Sequence, residues 1–322
     1  MTKKRKEFMS DAPLSEHQPF LFDQSEFPPL DDIPAEPFLK QIQRPVCTSN
    51  KAQLIMRYLK YFVFITKHGT YIDGFAGPQE ERMCDTWAAK AVIESEPKWM
   101  RHFHLCDHKR SQVKLLLQLR ASQPQCQYDR NVEIYEGSFN DKVDQILNSG
   151  DITEKEATFC LLDQRTFECH WSTVEKLARF KTAGTKIELF YFLANSWQER
   201  AFAAQKQLHV PAAWWGREDW KDIRDMTRDD RRDAFVSRFK RDLGYRSVKA
   251  WPIFGSLTGG ALMYYMIHAT DHPEAPKQMS RAYRSTVSPS EPFEQQKLFV
   301  EPKGAISTAE SKPGTLPLQQ LG

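Results

Sequence analysis

The sequence predicts an α/β protein built on a parallel sheet with helices on both faces. Two observations carry this. Five short strand-like runs lie between residues 70 and 193, and four of them contain or end on an acidic residue or a glycine turn. Segments with helical apolar spacing separate these runs, and such alternation is the pattern of a parallel sheet whose crossovers are helices.

Residues 1–46 hold seven of the 19 prolines and residues 286–322 hold five. Both segments lack apolar periodicity, so they are expected to be disordered tails around one domain at 47–285. Thr48-Ser49-Asn50 offers a helix N-cap, and Leu54, Ile55, Tyr58, Leu59, Phe62 and Ile65 follow at helical spacing. Gly69 is expected to end that helix as a C-cap. The strand-like runs are Thr70–Asp73, His102–Asp107, Val132–Glu136, Thr158–Asp163 and Ile187–Leu193. Helical patterns at Ser111–Ala121 and Trp171–Phe180 stand between them.

Residues 197–249 break the rhythm, with ten basic and six acidic side chains between 221 and 249. This stretch reads as a helical insertion placed before the last strands. It is either a salt-bridged surface excursion or a lid facing an anionic substrate. Trp214, Trp215 and Trp220 are expected to pack rather than to stack on a ligand. Ala261–Ile267 reads as a late buried strand.

Composition narrows the function. Lys plus Arg is 45 against 42 for Asp plus Glu, a net charge of +3 in 322 residues. That balance excludes a dominant basic field and leaves nucleic acid neither indicated nor excluded. No apolar run approaches the ~20 residues of a membrane span. Lys3, Lys4, Arg5 and Lys6 precede no apolar stretch, so no secretory signal is read and a cytoplasmic location is expected. The cysteines at 47, 84, 106, 126, 160 and 169 form no C-x-x-C pair, which argues for reduced buried thiols rather than zinc. His102, His104 and His108 have no carboxylate or Cys partner at helical spacing, so no metal is expected.

The chemistry is concentrated at the strand ends. Tyr71-Ile72-Asp73-Gly74-Phe75-Ala76-Gly77-Pro78 runs a strand into a carboxylate and a glycine turn. Glycine lets a backbone approach a ligand closely. Asp107 ends the next strand, where Rossmann-like folds place the acid that accepts ribose hydroxyls. The third strand leads into Glu136-Gly137-Ser138-Phe139-Asn140, suited to hold an adenine. The fourth ends in Leu161-Leu162-Asp163-Gln164-Arg165-Thr166-Phe167. Together they point to a nucleoside-bearing cofactor, although neither G-x-G-x-x-G nor the P-loop pattern is present.

Tyr71–Pro78, Leu161–Phe167 with Trp171, and Tyr264-Tyr265-Met266-Ile267-His268-Ala269-Thr270-Asp271-His272 with Met279 resemble the three-Cys-motif partner proteins (the TcmP family). The likeness covers roughly residues 48–285. It implies a Rossmann-like, class I methyltransferase fold, S-adenosylmethionine as cofactor, and a partner protein that carries three clustered cysteines. The cofactor is then expected on Asp73, Gly74, Phe75, Ala76, Gly77, Asp107, Gly137, Ser138 and Phe139. Asp163 is expected at the methyl-acceptor position and Arg165 on a substrate phosphate. Two departures bear on this. Gln79 replaces a glycine of the first motif, and Asp163 is followed by Gln164-Arg165-Thr166-Phe167 rather than by prolines, which predicts a more pliable loop.

The reading is a methyltransferase-like protein acting on nucleic acid or a nucleotide-like substrate together with its three-Cys partner. The alternative is a catalytically silent binding subunit of that partner, in which Asp163 only caps a helix. Gln18-Pro19-Phe20-Leu21-Phe22 and Gln295-Gln296-Lys297-Leu298-Phe299 share the form Gln-x-x-Leu-Phe and resemble peptides that dock on bacterial sliding clamps.

Overall fold

The computed structural model describes Val46 and residues 49–78, 86–124, 129–256 and 259–287, with backbone alone at 259 and 260. The first helix, α1 (Lys51–Thr66), buries Leu54, Ile55, Tyr58, Leu59, Phe62 and Val63. Asn50 occupies the N-cap position without a side-chain capping bond. Gly69 is not the C-cap. Lys67 ends the helix at φ 65°, donating its N–H to the Val63 carbonyl. Gly69 instead opens β1, where a Cβ would stand 2.8 Å from the Phe62 ring.

The chain then alternates as expected. β1 (Gly69–Asp73), α2 (Ala88–Glu94), β2 (Met100–Asp107), α3 (Arg110–Ala121) and β3 (Asn131–Glu136) form the first half. α4 (Phe139–Leu147), β4 (Thr158–Leu162), α5 (Trp171–Arg179) and β5 (Glu188–Ala194) form the second. Both β1 and β4 run as fully buried pentapeptides, which suits a sheet covered on both faces. Phe159, Leu161 and Phe190 point to the layer built from α1, α2 and α3. Cys160, Leu162, Leu189 and Tyr191 point to the layer built from α4 and α5.

The insertion folds as α6 (Gln198–Ala204), α7 (His209–Trp215), α8 (Trp220–Asp225) and α9 (Arg228–Arg241). Thr227 caps α9 by accepting the Asp230 N–H. Trp214, Trp215 and Trp220 are buried with Phe235 and Phe239 against the second face, so they are packing anchors. The Arg238 guanidinium lies between the rings of Trp171 and Trp215, 3.6 and 4.2 Å from their centroids. Much of the exposed charge on α8 and α9 is spent in local pairs such as Arg224–Asp225 and Arg232–Asp233.

β6 (Ser247–Ser256), β7 (Gly259–Thr270) and α10 (Ala275–Val287) complete the domain. β6 has no counterpart in the sequence reading. It is the edge strand, and an edge tolerates Lys249 and Pro252, which blur a strand pattern. Val46 accepts a bond from the Phe254 N–H at 2.8 Å. The sheet order is β3-β2-β1-β4-β5-β7-β6, parallel except for β7, which is antiparallel to both β5 and β6. This is the Rossmann-like sheet of class I methyltransferases. The order reverses between β1 and β4, the point at which open α/β sheets bind ligands beyond their carboxyl ends. Among the described residues no helix is long and apolar enough to cross a membrane.

Candidate cofactor and acceptor site

The β1 turn is built around Asp73. Its Oδ2 accepts the Tyr71 hydroxyl at 2.8 Å and its Oδ1 accepts the Phe75 N–H at 3.1 Å. The side chain is 1% exposed. Burial pushes this carboxyl up to about 7, and the charges of Asp163 and Asp107 add to the rise. The two hydrogen bonds oppose it. Asp73 therefore shapes the glycine turn from beneath, while Gly74 and Phe75 of that turn line the cleft described below.

That backbone is drawn onto Asp107. Asp107 Oδ2 accepts the Gly77 N–H at 3.0 Å, and Oδ1 accepts the Lys109 N–H at 2.9 Å. A Cβ at Gly77 would stand 2.5 Å from Gln112 Cβ and 2.6 Å from Asp107 Oδ2, so only glycine permits this approach. The loop is held from the other side as well. Ala76 donates to the Cys106 carbonyl at 2.9 Å, and its own carbonyl accepts the Trp87 indole N–H at 2.6 Å.

At the third strand end Gly137 takes φ 137° and donates to the Asp107 carbonyl at 3.0 Å. Ser138 is the N-cap residue of α4, and Phe139 packs so closely on Gly74 that a Cβ there would be 2.8 Å from the ring. A cleft of about 440 Å³ opens above this turn. Gly74, Phe75, Gly137, Ser138 and Phe139 form one side, and the 166–168 loop and His170 form the other. His108, Gln205 and Val210 complete it, the latter two from the insertion. Its volume is within the roughly 300–1,000 Å³ of small-molecule sites. Asp73, Asp107 and Asp163 do not line it, and Asp107 is 9% exposed. A glycine loop, an acceptor carboxylate at the second strand end and a cleft lined by Phe139 are groups whose chemistry fits an adenosine. Each Asp107 oxygen carries two lone pairs and spends one on a backbone N–H.

Asp163 sits at the end of β4. Its carboxylate is held by Lys51 Nζ, 2.8 Å from Oδ1 and 2.6 Å from Oδ2. The ammonium lies over the rings of Phe192 and Tyr264, 4.8 and 5.3 Å from their centroids. Lys51 was missed from sequence. It is the first residue of α1 and stands on the apolar stripe of that helix, and a lysine on a buried stripe was the available signal.

The 163–170 loop lacks the prolines but carries a set of side-chain hydrogen bonds in their stead. Gln164 is buried and accepts the Cys169 N–H at 2.9 Å. Glu168 accepts the Arg165 N–H at 2.7 Å, and the Arg165 carbonyl accepts the Trp197 indole at 3.2 Å. Asn140 donates to the Glu168 carbonyl at 2.8 Å and accepts the His170 N–H at 2.9 Å. The Arg165 side chain is exposed. The Gln164 and Glu168 bonds are local to the loop, whereas those from Asn140 and Trp197 come from about 30 positions away.

Cys106, Cys160 and Cys169 are buried free thiols. Burial pushes Cys106 up to about 12, which makes it a poor nucleophile. His102 Nδ1 and His104 Nε2 lie 3.4 Å from different oxygens of Asp151, far from the cleft at the opposite end of the sheet. Among the described residues no group of three His, Cys, Asp or Glu side chains is arranged to hold a metal. Gln79, Cys47, Cys84, Cys126 and both Gln-x-x-Leu-Phe segments lie outside the described residues.

No protein-family model matches the sequence, and no curated protein matches it. Solved structures do resemble the fold. A Legionella pneumophila protein of family DUF519 is 10% identical with a TM-score of 0.43, covering 76% of this chain and 94% of its own. A DUF574 family protein from Streptomyces avermitilis is 14% identical with a TM-score of 0.38, covering 68% and 82%. The plantazolicin methyltransferase BamL, solved with a substrate analogue and S-adenosylhomocysteine (SAH), is 10% identical with a TM-score of 0.39, covering 77% and 81%. These likenesses are remote, so the fold assignment rests on the strand order and the site on its own geometry.

Proposed function

We propose that the chain binds S-adenosylmethionine beyond the carboxyl ends of β1, β2 and β3 and transfers its methyl group to a nucleic acid or nucleotide-like substrate. A three-Cys-motif protein, as the TcmP resemblance implies, is the proposed partner. The supporting observation is the glycine loop 74–77 drawn onto Asp107 beside the 440 Å³ cleft. When bound, the cofactor supplies an electrophilic methyl carbon. Asp107 holds the ribose hydroxyls, the 74–77 backbone follows the methionine half, and Gly137–Phe139 floors the adenine. Asp163 orients the acceptor, and exposed Arg165 meets a phosphate. Orientation is the protein's main contribution to such a transfer.

A second reading, a silent methyltransferase fold that binds the partner, draws on a specific observation. Asp107 and Asp163 already hold internal partners. Calorimetry with SAH separates the two. Charge-assisted bonds are worth about 1.5–3 kcal/mol each, so Asp107→Ala is expected to weaken SAH binding at least roughly tenfold. Wild-type protein that binds no SAH would remove the enzymatic reading. The sliding-clamp contact proposed for the tails is tested by pull-down with Leu21→Ala/Leu298→Ala, which should lose the clamp.

A further inference from the structure

We propose that Lys51 is a positioning residue for Asp163 in the acceptor subsite, and that the pair restricts the methyl acceptor to a nitrogen that attacks through its own lone pair. This rests on the cofactor reading above. Lys51 and Asp163 are 112 positions apart, yet one ammonium touches both carboxylate oxygens, at 2.8 and 2.6 Å. A two-oxygen contact fixes the plane of the carboxylate, which a single contact would leave free to turn. The cation is the inner member, with 3% side-chain exposure against 11% for Asp163. Phe192 and Tyr264 wall it in, and Tyr264 is itself set edge-on against Trp197, with centroids 4.7 Å apart. Trp197 in turn donates to the carbonyl of Arg165, two residues beyond Asp163. The cation, its aromatic wall and the loop therefore form one braced unit that fixes the orientation of the Asp163 carboxylate.

The pair is neutral as a whole. If Asp163 removed a proton from the acceptor, the Lys51 ammonium would remain as an uncompensated charge among aromatic rings, which is strongly unfavourable. Asp163 is therefore built to accept a hydrogen bond from an N–H and not to take its proton. This excludes a ribose hydroxyl, which must lose its proton to attack, and a ring carbon, which offers no N–H to hold, and it selects an exocyclic amino group. In the reaction this implies, the nitrogen lone pair forms the new bond to the methyl carbon while the sulfur–methyl electron pair stays on sulfur. Positive charge thereby passes to nitrogen, whose proton then leaves to water, and the Lys51–Asp163 pair ends as it began.

The test uses the full chain with S-adenosylmethionine and a mixed pool of single-stranded DNA and RNA oligonucleotides. Methylated nucleosides are identified by mass spectrometry, and SAH affinity is measured for each variant. The expected product carries its methyl on a base amino nitrogen. Lys51→Met should lose about 100-fold in kcat, a typical size for a misplaced polar catalyst, with KM and SAH affinity within about threefold. Lys51→Arg should recover to within about tenfold of wild type. A purely structural lysine would lower the melting temperature without this split between kcat and KM. Methylation of oxygen or carbon overturns the inference. So does a wild type that binds SAH but methylates nothing, or a Lys51→Met kcat within about threefold of wild type. A wild type that does not bind SAH refutes the cofactor reading itself, and this inference with it.

Discussion

Asp73→Asn isolates the energetics of the first turn. In the native protein burial lifts the Asp73 carboxyl from 3.8 to about 7. An unfolded chain has lost this proton above about pH 4, whereas the folded chain keeps it until about pH 7. The folded state therefore binds more protons across that window, and its stability falls as pH rises through it. The gap spans about three pH units at about 1.4 kcal/mol each, so the full swing is about 4 kcal/mol. Asparagine preserves the contacts. Its Oδ1 accepts the Phe75 N–H, and its amide donates to the Tyr71 hydroxyl, which turns to accept. Urea unfolding of wild type and Asp73→Asn at intervals from pH 4 to pH 8 gives a difference curve in which groups not coupled to Asp73 cancel. The variant should gain about 4 kcal/mol on wild type between those limits, with most of the change between pH 4 and pH 7. That corresponds to roughly 10 °C in Tm for a domain of this size. A difference curve flat to within about 1 kcal/mol would show that Asp73 ionises normally. A slope of the opposite sign would show that its two hydrogen bonds outweigh its burial.

Gly77→Ala should abolish SAH binding in calorimetry, because its Cβ would enter the space of Asp107 Oδ2 and Gln112. Unaltered affinity would place the cofactor elsewhere. Phe139→Ala removes a buried ring that packs on Gly74 and is expected to cost about 3–5 kcal/mol in urea unfolding while weakening SAH. Cutting the chain before Val46 and after Val287 should leave Tm within about 2 °C. Cutting past Val46 should lower it by more, since Val46 is fully buried and pairs with Phe254 on the outer side of β6.

The α/β class, the five parallel strands and the glycine turn were legible in the sequence because they are local. Apolar runs of five to eight residues, an acid at the strand tip and glycines one and four places later are read within one window. The insertion was legible as a break in rhythm, and its tryptophans as packing anchors, because aromatic burial follows from composition. β6 was lost because an edge strand has one neighbour and need not alternate. Lys51 was lost because nothing within a hundred residues of it shows what it binds. Part of the bracing of the 163–170 loop was lost for the same reason, since Asn140 and Trp197 reach it from segments 28 and 32 positions away, after β3 and after β5. Sequence alone determined which residues would stand at strand ends, since that depends on short-range periodicity. Tertiary structure alone decided which of them line the cleft and which hold one another. A buried carboxylate takes its role from the partner that replaces water around it, and that partner arrives from anywhere in the chain.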